Sequence, residues 1–144
     1  MRRAALLVLL AGLVACSGGG GGLTRAQFIR KGDAICARFL EAGADLDRPT
    51  SAGDLEPYLA DVLRLADDAR TDLAALDPPA DGAKAKQALL EALDASMDRA
   101  RDARDALGRH DLAAVQSAFQ DAARGVVRAN GTAKAYGFRD CAGL

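Results

Sequence analysis

The stretch Leu55-Glu56-Pro57-Tyr58-Leu59-Ala60-Asp61-Val62-Leu63-Arg64-Leu65-Ala66-Asp67-Asp68-Ala69-Arg70-Thr71-Asp72-Leu73-Ala74-Ala75-Leu76, closed by Asp77-Pro78-Pro79, decides the fold. Leu55, Tyr58, Leu59, Val62, Leu65, Ala66, Ala69, Leu73 and Leu76 recur at steps of three and four, which lines them along one face of an α-helix. Asp54 is positioned as its N-cap, and Pro57 falls in the first turn, where its missing N–H costs nothing. The tandem prolines stop the helix, because a residue before proline is pushed out of the helical region.

The same period extends on both sides. Upstream, Thr24 and Gln27 form a capping box, and Phe28, Ile35, Phe39, Ala42 and Leu46 share a face bordered by Cys36, up to a stop at Arg48-Pro49. Downstream, a third helix is expected from about Asp81 to Leu107, with Leu89, Leu90, Leu93, Met97, Ala100 and Leu107 inside and Gly108 as its C-terminal cap. Asp111 is the expected N-cap of a fourth helix that carries Leu112, Val115, Phe119, Ala122, Val126 and Ala133. Gly125 and the pair Asn130-Gly131 predict a kink or a stop near residue 130. Four helices of about 22 to 27 residues with short connections predict an all-α, up-down-up-down four-helix bundle.

Half of the 144 residues are apolar, yet aromatics make up only 4% and Trp is absent, so alanine and leucine must supply the buried surface. Small residues let helices pack closely and leave little volume for a large ligand cavity. The formal charge is -1, with 19 basic and 20 acidic side chains. Such an even mixture gives no basic footprint for nucleic acid and no polybasic run for lipid headgroups.

Residues 1–15 have the parts of an export leader: Arg2-Arg3, an apolar run from Ala4 to Val14, and a small residue before Cys16. The run is shorter than the ~20 residues that span a bilayer as a helix. Leu13-Val14-Ala15-Cys16 resembles the lipobox of bacterial lipoprotein precursors and fills all four of its positions. The resemblance implies a diacylglyceryl group on the Cys16 sulfur, cleavage before Cys16, and anchoring to the outer face of the cell membrane. Two acyl chains matter, because a single chain binds a membrane only marginally. Cleavage would remove Arg2 and Arg3 and no acidic residue, leaving a charge of -3. The domains are then a leader at 1–15, a lipidated Cys and Gly-rich linker at 16–22, and a helical domain at 23–144. The linker spans about 13 Å if flexible, which holds the domain close to the bilayer.

With Cys16 lipidated, Cys36 and Cys141 remain as one pair in an oxidising compartment and are expected to form a structural disulfide. A closed loop of about 100 residues stabilises by up to about 4.7 kcal/mol in the chain-entropy picture. No other grouping reads as a reactive centre. Asp94, Asp98, Asp102 and Asp105 line one ridge of the third helix, but Arg99, Arg101 and Arg104 interleave with them. That pattern predicts surface ion pairs, Asp98 with Arg101 and Arg101 with Asp105, rather than a calcium site. His110, the only histidine, falls in a turn with no HExxH or CxxCH partner, and the serines lack a GxSxG context. Asn130 reads as a cap or kink residue, or else as a buried amide at the inner face.

The segment Phe28 to Cys36, the Asp77-Pro78-Pro79 breaker and the ending Tyr136-Gly137-Phe138-Arg139-Asp140-Cys141 resemble the small helical lipoproteins of high-GC Gram-positive bacteria. That resemblance implies no assigned activity. The expected function is a non-enzymatic, membrane-anchored interaction module of the cell envelope, with no catalytic residue, metal or cofactor and no nucleic-acid partner. Its contact is an envelope protein or wall component. The alternative expectation is a small-ligand or metal-ion binding lipoprotein with an inter-helix site near Tyr58, Phe119 and Asn130.

Overall fold

The computed structural model describes residues 22–144, so the leader, Cys16 and nearly all of the glycine linker lie outside the described residues. Its first helix, α1 (Arg25–Ala44), begins as the sequence dictates. The Thr24 hydroxyl accepts from the Gln27 amide, and the Gln27 side chain accepts from the Thr24 amide. It stops four residues before Arg48, with Asp45 as its cap. Gly43 weakens the last turn, and Asp45 and Asp47 put negative charge at the end of the helix dipole that disfavours it.

The second helix, α2 (Leu55–Ala75), follows a 3-10 turn at Ala52–Asp54. Asp54 precedes α2 as expected but does not cap it with its side chain. Its carboxylate faces backward and accepts from the amides of Thr50 and Ser51, at 3.1 and 2.9 Å, and from both hydroxyls. Those donors, Ser51 first, hold the Asp54 carboxyl below the ordinary carboxylate value. At the other end of α2, the Lys86 ammonium donates to the carbonyls of Ala74 and Leu76, satisfying groups that a helix end leaves open.

The third helix, α3 (Ala83–Gly108), and the fourth, α4 (Leu112–Tyr136), complete an up-down-up-down bundle. The Asp111 carboxylate accepts from the Ala114 amide at 3.0 Å, the cap read from sequence. The expected break near residue 130 does not occur. α4 runs unbroken to Tyr136, and Gly137, at φ 111°, ends it. Tertiary packing overrides the low helix propensity of Gly125 and Gly131. Gly125 is in fact a point where α3 and α4 approach closely. A Cβ there would lie 3.0 Å from the Ser96 Cβ, and the Ser96 hydroxyl donates to the Ala122 carbonyl across the same contact.

Consecutive helices pack on one another, and the α3–α4 pair is the most extensive contact. Helices α1 and α4 are the exception, since no pair of their Cα atoms lies within 8 Å. The gap between them is filled by the tail after α4, which ends in a 3-10 turn at Cys141–Gly143. Phe28, Ile35, Leu73, Leu89, Ala129, Ala133, Tyr136 and Phe138 therefore form a core concentrated at the end where α1 begins. Leu59, Leu63, Met97, Ala103, Ala106, Val115 and Ala118 continue the burial toward the opposite end.

Between α2 and α3, the Arg70 guanidinium donates twice to the Asp94 carboxylate, at 2.8 and 3.0 Å. That hydrogen-bonded partner holds the Asp94 carboxyl below its ordinary value of 3.8. A carboxyl depressed in the folded state stabilises at pH values above its unfolded value. The contribution disappears as pH falls through the lower folded value. Asp94→Asn should accordingly lower the thermal midpoint at neutral pH by a few degrees, the small effect of a partly exposed pair. The difference from the parent should shrink below pH 3.8; melts followed by circular dichroism across the acid range measure it.

Candidate functional site

Sequence reasoning singled out Phe28 to Cys36 and Tyr136 to Cys141, and the fold brings these two stretches together. The Cys36 and Cys141 sulfurs are 1.98 Å apart across a sequence separation of 105 residues. Three residues before Cys36, Asp33 accepts the amide N–H groups of Arg139, Asp140 and Cys141 at 2.9 to 3.2 Å. One carboxylate thus collects the donors that a turn leaves open. Gly32 gives Phe138 its space, since a Cβ would stand 2.4 Å from the ring. Phe28 meets Tyr136 and Phe138 edge to face at 5.7 and 5.4 Å. The Arg25 guanidinium sits 4.5 Å from the Tyr136 ring centroid and donates to the Tyr136 carbonyl. Burial, with the nearby Asp81 carboxylate second, pushes the Tyr136 hydroxyl up.

This assembly is a clasp, built to hold. Cys36 is 1% exposed and Cys141 0%, so burial shields both sulfurs from attack by an external thiolate.

The three residues of the alternative inter-helix site do not converge. Tyr58 lines a cleft with Asp45, Arg48 and Asp61 at the far end of the bundle. Phe119 and Asn130 are separated by about 16 Å of helix rise along α4. Asn130 is neither a cap nor a kink; its side-chain amide donates to the Leu144 carbonyl at 2.8 Å, while its oxygen is buried without a partner. The aspartate ridge also resolves into pairs. Asp94 meets Arg70, Asp98 meets Arg101 and Asp102 meets Arg99, whereas the expected Arg101–Asp105 pair gives way to a reach from Arg101 toward Asp67 on α2. Among the described residues no three His, Cys, Asp or Glu side chains are grouped to hold a metal ion.

The opening that sequence reasoning missed lies at the end remote from the clasp. A groove of about 850 Å³ runs between the Ala52–Asp54 turn and the α3–α4 corner, with Glu56, Arg104, Leu107, Arg109, His110 and Leu112 on its walls. Leu112, expected in the buried stripe of α4, is 74% exposed. It is the first residue of the helix and opens onto the groove rather than into the core. The corner is a Schellman turn, in which His110 donates to Leu107 and Asp111 to Ala106. Its left-handed position, normally a glycine, is His110 at φ 58°, and Gly108, the expected cap, is the last helical residue instead. The conformation displays the imidazole at the groove, and a non-glycine residue held there stores strain.

No family model, curated protein or solved structure matches this chain.

Gly32→Ala should destabilise by about 1–3 kcal/mol in denaturant unfolding, because Phe138 is wedged between Phe28 and Tyr136 and cannot yield. His110→Gly should do the opposite and raise stability by about 0.5–1 kcal/mol, by relieving the left-handed strain. A neutral or destabilising outcome in the same unfolding measurement would show that the imidazole contributes contacts outweighing that strain.

Proposed function

We propose that this chain is a lipid-anchored module of the cell envelope that displays the groove end of its bundle to a protein partner, without catalysing a reaction. The anchor rests on Leu13-Val14-Ala15-Cys16 and on the short glycine linker that follows it. The observation that carries the display is the polarity of the fold. The chain enters at the clasp end, where the Leu23 amide donates to the Asp77 carbonyl, while the groove and exposed Leu112 lie at the opposite end. An anchor at one end and an uncovered leucine framed by charged side chains at the other suit a contact made away from the bilayer. Arginine is enriched at protein interfaces, and the buried centre of an interface is more apolar than the rest of the surface. Among the described residues no helix is long and apolar enough to cross a membrane, and in this reading the acyl chains on Cys16 hold the protein there instead.

A second reading places a small polar ligand in the same groove, whose volume falls within the ~300–1,000 Å³ of ordinary ligand sites. A ligand that binds the native state alone raises the melting temperature with its concentration.

Cys16→Ser is expected to abolish fatty-acid incorporation and release the protein from the membrane fraction. A photo-crosslinker at Leu112 should capture one envelope protein, and the capture should be lost in Arg109→Glu but retained when Lys84, at the other end, is changed to Glu. Membrane association that survives Cys16→Ser would refute the anchor. Capture insensitive to Arg109 would refute the groove.

A further inference from the structure

The even charge of the sequence is not evenly placed in space. The end where the chain enters is built from residues 25–33, 77–86 and 134–144, which carry seven basic and four acidic side chains. The opposite end, built from residues 41–61 and 102–112, carries nine acidic and three basic ones. The fold therefore gathers cations from three distant segments into one end and leaves the other acidic.

Several of these cations are unengaged. Arg30, Lys31, Lys84, Lys134 and Arg139 are exposed, and among the described residues none of their side chains forms a hydrogen bond or ion pair, whereas Arg25 is held by Asp81. Lys86 is occupied by the α2 carbonyls. Of the carboxylates nearby, Asp81 is matched by Arg25, while Asp33, which accepts three neutral backbone amides and keeps its charge, opposes the cations together with Asp77 and Asp140. Five unpaired cations against three carboxylates leave this end with an excess of positive charge, on a domain that is acidic elsewhere.

We infer that this end docks on the headgroups of anionic phospholipids, so that the bundle stands on the bilayer with its acidic end and groove pointing away. The inference rests on the anchored reading for its setting and on charge complementarity for its partner. If the six residues Ser17 to Gly22 span about 13 Å, they hold the end within one to two Debye lengths of the surface, ~8–10 Å each at ordinary salt, where the attraction is attenuated but still felt. Basic side chains near such a surface add to the anchor, and the repelled acidic end fixes the sense of the tilt.

The test couples the Cys16 thiol of the chain to a maleimide lipid in nanodiscs, which sets the tether chemically whether or not cells lipidate it. Nitroxide-labelled headgroups then broaden nearby amide signals. In discs containing phosphatidylglycerol, amides of Lys84, Lys134 and Arg139 should relax about tenfold faster than those of Asp47 and Asp105. The contrast should collapse in pure phosphatidylcholine, at high salt, and in the triple variant Lys84→Glu, Lys134→Glu, Arg139→Glu. The corresponding triple Gln variant, with a milder loss, serves if the Glu protein does not fold. Equal broadening at both ends, or a contrast indifferent to phosphatidylglycerol, would overturn the inference. Failure of the anchored reading shows separately, as an absence of lipid mass on Cys16 in the protein isolated from cells.

Discussion

The structure depends on the clasp that Asp33 and Cys36 make on the tail. In an up-down-up-down bundle the first and last helices normally close the ring by packing on each other. Here the α1 and α4 backbones stay apart, Arg25 and Phe28 reaching only the end of α4 at Tyr136, and the space between them is closed by the residues after α4. Each part of the clasp answers a specific need. Gly137 turns the chain back, Phe138 fills the gap against Phe28, Asp33 satisfies the turn amides, and the disulfide removes the freedom of the tail to leave. An aromatic share of 4% is sufficient because half of the six aromatic residues meet in this one cluster.

Closure at one end sets the character of the other. With the aromatic cluster and the disulfide at the entry end, the remainder of the buried hydrophobic core is made of alanine, leucine, valine and methionine, and toward the α3–α4 corner it is supplied by small residues, Ala103, Ala106, Val115 and Ala118. Alanine allows α3 and α4 to come close enough for Ser96 to bond the Ala122 carbonyl, but it cannot reach across a wider gap. The groove beside Leu112 follows from that limit. The same small-residue composition that tightens one helix pair leaves the corner beyond it uncovered.

The helical stripes, the caps at Thr24 and Asp111, the proline stop of α2 and the pairing of Cys36 with Cys141 were all legible, because each is a local pattern or an arithmetic of few residues. What escaped were effects decided between segments. Asn130-Gly131 has the chemistry of a helix end, yet α4 continues because packing on α3 and the clasp outweigh propensity. Gly108 has the chemistry of a left-handed cap, yet the turn falls two residues later on His110, a shift no local rule specifies. Leu112 keeps the correct helical phase but is exposed at the start of its helix, and phase carries no information about where along a helix burial begins. Arg101 chose Asp67 on another helix over Asp105 on its own, which periodicity cannot weigh.

Charge shows the same distinction most clearly. Read along the chain, cations and carboxylates alternate and nearly cancel. Three crossings of the bundle then bring the start of α1, the α2–α3 junction and the tail to one end, and the segregation appears only there. A net charge near zero constrains long-range attraction to the whole molecule but places no limit on its dipole. For a free protein such a dipole would average out by tumbling. For a bundle tethered by a few glycines beside a charged surface it would instead become an orientation. In that setting the clasp does more than hold α1 to α4: it also fixes Arg139 and the end of α4 next to the point where the chain enters, and so builds the face that the tether would present to the bilayer.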